Sequence, residues 1–355
     1  MHRGATLNRS RIKTVAYKGS KRKLLNNILH LTEQVDPTTV FDGFSGTGIV
    51  SAMFRRNGYQ VYSNDLNHSS YVYGKVFLEG YNPSVVSEHL EIMNNLDPTY
   101  GWLTKNYSGT VERKVRGKSG LHTRTLGLTE KNAMKIDSAR DYVDSLTQIS
   151  EQDKNALIFS TILGLDSVFN NSNDQKSSLK DWSTKSLKSV TFKPPTLIEG
   201  KIGTQFQGDI FSLPSKKEFD VVYLDPPYTH GVLYASSYHI NDSLAIWDKP
   251  ELDNNYAIPR PARASFRDRN AGSFYSKKTV EMDFYQLIDQ FSFKRMILSY
   301  SDAPRNTTNL NSLEEIASNF GDTKVYSVEH KICAQYSTQN KRSEKLKEFF
   351  VVIDR

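Results

Sequence analysis

Short apolar runs ending in acids or glycines recur along this chain, each followed by apolar positions at helical spacing. That alternation predicts an α/β fold built on a largely parallel sheet. Leu24, Leu25, Ile28, Leu29 and Leu31 mark a first helix, with Gly19 turning the backbone and Ser20 placed to cap it. Residues 39–42 read as a strand, 43–48 as a glycine-rich turn, and Ile49, Val50, Ala52, Met53 and Phe54 as the helix after it. A second strand, 60–63, ends in Asn64-Asp65. The alternation lapses from about His68 to Pro195. Residues 71–81 and 85–96 are expected helices, and 105–125 have the turn chemistry of a hairpin. Ser150-x-x-Asp153 is a capping box for a helix at 154–169, and 170–193 is polar and looped. Strands resume at 202–210 and 219–224. Residues 229–278 read as one long irregular segment, of the kind that serves as a lid or substrate clamp. A helix at 284–291, a strand at 295–300, a helix at 313–319 and two paired closing strands, 324–330 and 348–353, complete the pattern.

One stretch organises the rest: Phe219-Asp220-Val221-Val222-Tyr223-Leu224-Asp225-Pro226-Pro227-Tyr228. Proline has no N–H and fixes its own φ, so the strand stops at Asp225. The acid thereby lies at the carboxyl end of a strand, where open α/β sheets bind ligands. A carboxylate, the unpaired carbonyl of Pro226 and the face of Tyr228 share one stiff loop. That set suits accepting two hydrogen bonds from a planar exocyclic amine while its ring stacks on the tyrosine. A proline-capped turn with a surface tyrosine would carry the same residues.

Upstream, Asp42-Gly43-Phe44-Ser45-Gly46-Thr47-Gly48 lets a ligand approach the backbone closely, and the helix dipole beyond favours a carboxylate. It is not the dinucleotide fingerprint, because Ser51 stands where a third glycine would fall. Asp42 precedes the glycines, as suits a ligand with an amino group to neutralise. Asp65 stands where an acid usually takes a ribose hydroxyl pair, and Asp209 ends a strand within reach of an adenine amino group. In that order the residues describe an adenosine-containing ligand with an amino-acid tail.

The chain has 355 residues, enough for one large domain and an insert. Its net charge of +7 leans towards a polyanionic partner, and nineteen Tyr and eighteen Phe beside basic residues suit base stacking. The region 105–125 carries Lys105, Arg113, Lys114, Arg116, Lys118 and Arg124, and the irregular segment carries Arg260, Arg263, Arg267 and Arg269. We read both as DNA-contacting, against the alternative of a solvated basic surface. The lone Cys333 rules out an internal disulfide and any cysteine-cluster metal site. The basic N-terminus lacks the apolar segment of a secretory signal, and no run approaches membrane-spanning length, so a soluble, cytoplasmic protein is expected.

These residues, in this order, resemble S-adenosylmethionine-dependent DNA adenine-N6 methyltransferases of the Dam-like alpha group. Tyr17-Lys18-Gly19-Ser20-Lys21 is similar to their N-terminal cofactor motif, with Ser20 where a second glycine is usual. Asp42 to Gly48 is similar to the cofactor loop, with Gly43 where many members have proline; Gly208-Asp209, with Ile210 beside it, resembles the adenine-ring motif. Asp225-Pro226-Pro227-Tyr228 matches the catalytic tetrapeptide. The resemblance implies a Rossmann-like class I methyltransferase sheet with helices on both faces, formed by residues 1–67 and 196–355. A largely helical and hairpin target recognition domain, 68–195, is inserted between them. It implies S-adenosyl-L-methionine as cofactor, a flipped adenine in double-stranded DNA as substrate, no metal, and a cognate restriction endonuclease encoded nearby in a bacterium, plasmid or phage. Other readings are a cytosine-N4 methyltransferase, in which Ser more often stands in place of Asp225, a methyltransferase whose acceptor is RNA or a protein glutamine, and a catalytically inactive DNA-binding subunit.

Overall fold

Val221, Val222, Tyr223 and Leu224 are all essentially without solvent exposure, which requires a strand covered on both faces. The computed structural model describes residues 11–114, 119–171, 174–213, 218–227, 234–261, 274, 276–301, 306–331 and 345–355. In chain order the elements begin α1 (Leu25–Glu33), β1 (Thr39–Asp42), α2 (Ile49–Arg56), β2 (Gln60–Asp65), α3 (His68–Glu79), α4 (Pro83–Asn95) and α5 (Trp102–Tyr107). The hairpin β3 (Thr110–Lys114) and β4 (Leu121–Thr125) precedes α6 (Glu130–Ser145) and α7 (Glu151–Val168). Then come β5 (Thr204–Gln207), β6 (Glu218–Leu224), α8 (Tyr234–Ser237), α9 (His239–Ile246), β7 (Leu252–Asp253) and β8 (Arg260–Pro261). The chain closes with α10 (Val280–Asp289), β9 (Ser292–Ser301), α11 (Leu310–Ser318), β10 (Asp322–Lys331) and β11 (Lys345–Asp354).

Among the described residues seven strands form one sheet in the order β10-β11-β9-β6-β1-β2-β5. β5, β2, β1, β6 and β9 run parallel, and β11 runs antiparallel to both β9 and β10. Alternation along β6 splits its side chains between two cores. Val221 and Tyr223 join Ile28, Phe54 and Phe77 from α1, α2 and α3. Val222 and Leu224 join Phe284 and Leu287 of α10 and Leu313 of α11. This is the expected Rossmann-like methyltransferase sheet with helices on both faces. The core that holds α3 is continuous with Leu157 and Phe159 of α7 and with Val190 and Phe192.

The order in which strands are added reverses at β1, which has β2 on one side and β6 on the other. Ligands of such sheets bind outside the carboxyl ends at this switch point. Register places Asp42, the last residue of β1, opposite Ser63 and Tyr223, so Asp65 and Asp225 end their strands at the same level.

Some elements depart from the sequence pattern. Ser20 makes no capping hydrogen bond; a 3-10 turn at Lys21–Lys23 precedes α1 instead. Lys105 lies on helix α5, outside the hairpin. The segment expected to be irregular after Thr229 contains helices α8 and α9. Helix α6 was not expected, because its buried face mixes polar residues with apolar ones. Asn132 donates to the carbonyls of Ser186 and Lys188, Asp137 caps α5 through Leu103 and Thr104, and Arg140 donates to the carbonyl of Leu244 at the end of α9.

Candidate active site

Asp225 follows β6 directly, and the two prolines after it end the ladder. Lys21 reaches it from the turn before α1. The Lys21 ammonium is 3.0 Å from Asp225 Oδ1 and 3.0 Å from Glu348 Oε1 on β11, and only 9% of the lysine side chain is exposed. Ser299 on β9 donates to the same Glu348 oxygen at 2.7 Å. Burial pushes the Asp225 carboxyl up to about 6; Lys21 opposes that shift and Glu348 adds to it. Its side chain keeps a fifth of its surface open. Lys21, singled out from sequence within the N-terminal motif, is thus buried between two carboxylates.

Asp42 lies deeper. Ser51 Oγ donates to its Oδ2 at 2.6 Å, while Oδ1 is buried with no hydrogen-bond partner among the described residues. Burial, with the charges of Asp225 and Asp65 nearby, pushes its carboxyl up to about 7 against the pull of Ser51. A cationic group entering here would satisfy the orphan oxygen and restore the charged form. The hydroxyl of Ser45 and the side-chain amide oxygen of Asn64 are likewise buried without hydrogen-bond partners among the described residues.

The glycine loop is pinned from β2. Ser45 N–H donates to the Asn64 carbonyl, Gly46 N–H to Asp65 Oδ2 at 2.8 Å, and Asn67 N–H to Asp65 Oδ1. Burial raises the Asp65 carboxyl despite these donors. Gly46 and Gly48 hold φ of 51° and 71°, a region costly for a residue with Cβ. Tyr17 stacks on Tyr238 (4.4 Å between centroids) and Tyr234 (5.2 Å), and Lys18 N–H donates to the Tyr238 hydroxyl. The N-terminal motif is thereby fastened to α8 and α9.

The structure brings together most residues singled out from sequence. Tyr17, Gly19, Ser20, Lys21, Asp42, Phe44, Ser45, Gly46, Asp65, Asp209, Ile210, Asp225 and Pro227 all line one cleft at the carboxyl ends of β1, β2 and β6. Asp209 is exposed and accepts the N–H of Phe211. Gly48 and Pro226 stand behind the lining, Gly48 closing the loop by donating to the Ser45 carbonyl. Tyr228 lies outside the described residues, as do Arg116, Lys118, Arg263, Arg267 and Arg269. Lys105 is exposed, Arg124 and Arg260 are half-buried, and Arg113 and Lys114 lie on β3. Arg260 lies over the ring of Tyr256. Sequence reasoning missed Leu66, which lines the cleft and leaves 47% of its surface exposed, and Glu348. A large apolar residue beside a ligand acid was a signal for the first; nothing local marked the second. Among the described residues no group of three or more His, Cys, Asp or Glu is arranged to hold a metal ion. No helix among them is long and apolar enough to cross a membrane.

Comparison with known proteins matches residues 17–290 to the family model described as D12 class N6 adenine-specific DNA methyltransferase. The chain is 28% identical to modification methylase LlaI of Lactococcus lactis subsp. lactis, over 91% of its own length and 52% of that protein. It is 27% identical to type II methyltransferase M.NlaIII of Neisseria lactamica, over 92% of its length and 94% of the relative. Against type II methyltransferase M.FokI of Planomicrobium okeanokoites it is 27% identical, over 95% of its length and 52% of the relative. The chain therefore spans about half the length of two of these relatives and nearly all of the third.

Proposed function

From the premise that this chain belongs to the D12 class N6 adenine-specific DNA methyltransferase family, we propose that it is a site-specific enzyme that methylates the N6 amine of an adenine drawn out of double-stranded DNA. S-adenosylmethionine is the methyl donor, and the partner activity is a restriction endonuclease with the same target, in the cytoplasm of the host cell. The observation that carries this reading is the placement of Asp42 at the end of β1 and of Asp225 just beyond the adjacent β6, with an oxygen of Asp42 left without a partner among the described residues and the Asp225 carboxylate partly open.

When bound, S-adenosylmethionine supplies an electrophilic methyl group on a sulfonium. Asp42 would hold its ammonium, Asp65 its ribose, and Leu66, Asp209 and Ile210 its adenine ring. The glycine turn admits the amino-acid tail beside the backbone of Ser45 and Gly46. The target amine is a poor nucleophile because its lone pair is delocalised into the ring. Asp225 and the Pro226 carbonyl accept its two N–H groups, which favours a pyramidal nitrogen and stabilises the positive charge that develops on it. Tyr228 offers the flipped ring a stacking face, which offsets part of an unstacking cost of about a few kcal/mol. The segment 68–195, with Arg113, Lys114 and Arg124 on its hairpin, reads the target, and Arg260 contacts phosphate.

Asp225→Ala tests this assignment. It should abolish transfer of labelled methyl to unmethylated duplex while S-adenosylmethionine affinity stays within about threefold of wild type. Retained transfer by the variant would remove Asp225 from the chemistry.

A further inference from the structure

Glu348 is among the most buried acids of the protein, with 4% of its side chain exposed, and it faces the candidate active site from the antiparallel strand at its back. Its Oε1 accepts from two donors, the Lys21 ammonium at 3.0 Å and Ser299 Oγ at 2.7 Å. Lys21 then spends a second donor on Asp225 Oδ1 at 3.0 Å and lies 3.5 Å from the Gly19 carbonyl. No hydrogen bond to Asp225 Oδ2 is formed by the described residues. A buried carboxylate facing a second carboxylate across a single lysine costs desolvation that an apolar residue would not, so a fold alone gives no reason for it.

We propose that Glu348 is the positioning residue of the site, acting through Lys21: it pins the ammonium to one oxygen of Asp225 and so leaves the other oxygen to the substrate amine. Without that anchor a flexible lysine can fork across both Asp225 oxygens and compete with the amine for them. Sharing the ammonium between two acids also keeps its pull on Asp225 partial, so that the carboxylate remains a strong acceptor. The inference rests on the reading of Asp225 as the residue that takes the target amine. Among the described residues Asp225 is faced by Lys21, Glu348, Asp42 and Tyr223, of which Lys21 is the cation.

Glu348→Gln keeps the shape and the two accepted hydrogen bonds while removing the charge. We expect its single-turnover methylation rate to fall about 10- to 100-fold, with the affinities for S-adenosylmethionine and duplex DNA within about twofold of wild type. In the unliganded protein the carbon-13 resonance of the Asp225 carboxyl should titrate at lower pH than in wild type, because a repelling charge is gone and a neutral amide draws less on Lys21 than a carboxylate does. Glu348→Asp should restore part of the rate. A purely structural glutamate would change melting temperature without moving the titration. A variant that turns over at the wild-type rate, or whose Asp225 titrates where it does in wild type, overturns the proposal. If wild-type protein places no methyl group on adenine, the proposed function itself fails, and the titration still decides whether Glu348 sets the state of Asp225.

Discussion

Asp42 and Asp225 end two adjacent parallel strands, and the charge of Asp225 is one of the causes that hold the Asp42 carboxyl near 7. Both acids are held above their ordinary value chiefly by burial. An acid raised in the folded state makes the fold most stable below its unfolded value, since both states then bind the proton. As pH climbs from about 4 to about 7 the unfolded chain releases the Asp42 proton while the folded chain retains it, and stability declines. Thermal unfolding without ligand should therefore show a melting temperature that falls across this window. Asp42→Asn should flatten the fall, stabilise the free protein at pH 8 by roughly 1–4 kcal/mol, and weaken S-adenosylmethionine binding at least about tenfold. A pH profile identical in variant and wild type would show that Asp42 does not carry the strain.

Lys21 is the cation between Asp225 and Glu348. Lys21→Ala should destabilise the protein by about 3 kcal/mol, because two buried carboxylates lose their shared partner. It should also move the acid limb of the methylation rate to higher pH, since Lys21 lowers the Asp225 value. Chemical denaturation and rate–pH profiles read the two effects separately.

Gly48 holds φ of 71°, and a Cβ there would lie 2.9 Å from a ring carbon of Phe77. Gly48→Ala should cost about 1–3 kcal/mol and displace the loop that Asp65 pins. Calorimetry should show weaker S-adenosylmethionine binding than for Gly58→Ala, whose added methyl meets nothing within 4 Å.

Arg260 is assigned to phosphate. Arg260→Ala should weaken binding of specific and unrelated duplexes alike, and lower the slope of log affinity against log salt by about one. A loss confined to one sequence would instead mark a base contact.

The site was legible where its chemistry sits on consecutive residues. Asp225-Pro226-Pro227 announces a strand end, and Asp42 to Gly48 announces a loop. Glu348 was not legible, because Lys21 reaches it from the turn before α1, more than three hundred residues away in the chain, and no local pattern marks the pair. Helices α6 and α9 escaped for a related reason. Their buried faces carry Asn132, Asp137, Arg140, His239, Asn241 and Asp242, which blur the apolar stripe that marks a helix. Several of these are paid for by distant partners: Gln175 donates to Asn241, and Ser69 donates to Asp242. Polar cores of this kind are specified by tertiary contacts, and those become visible only once the chain is folded.

The most direct test of the account is the identity of the modified base. Wild-type protein would be incubated with labelled S-adenosylmethionine and unmethylated duplex DNA, and the digested nucleosides resolved by mass spectrometry. The account predicts N6-methyladenine as the product, confined to one target sequence. N4-methylcytosine, or no modified base from a protein that binds both ligands, would contradict it.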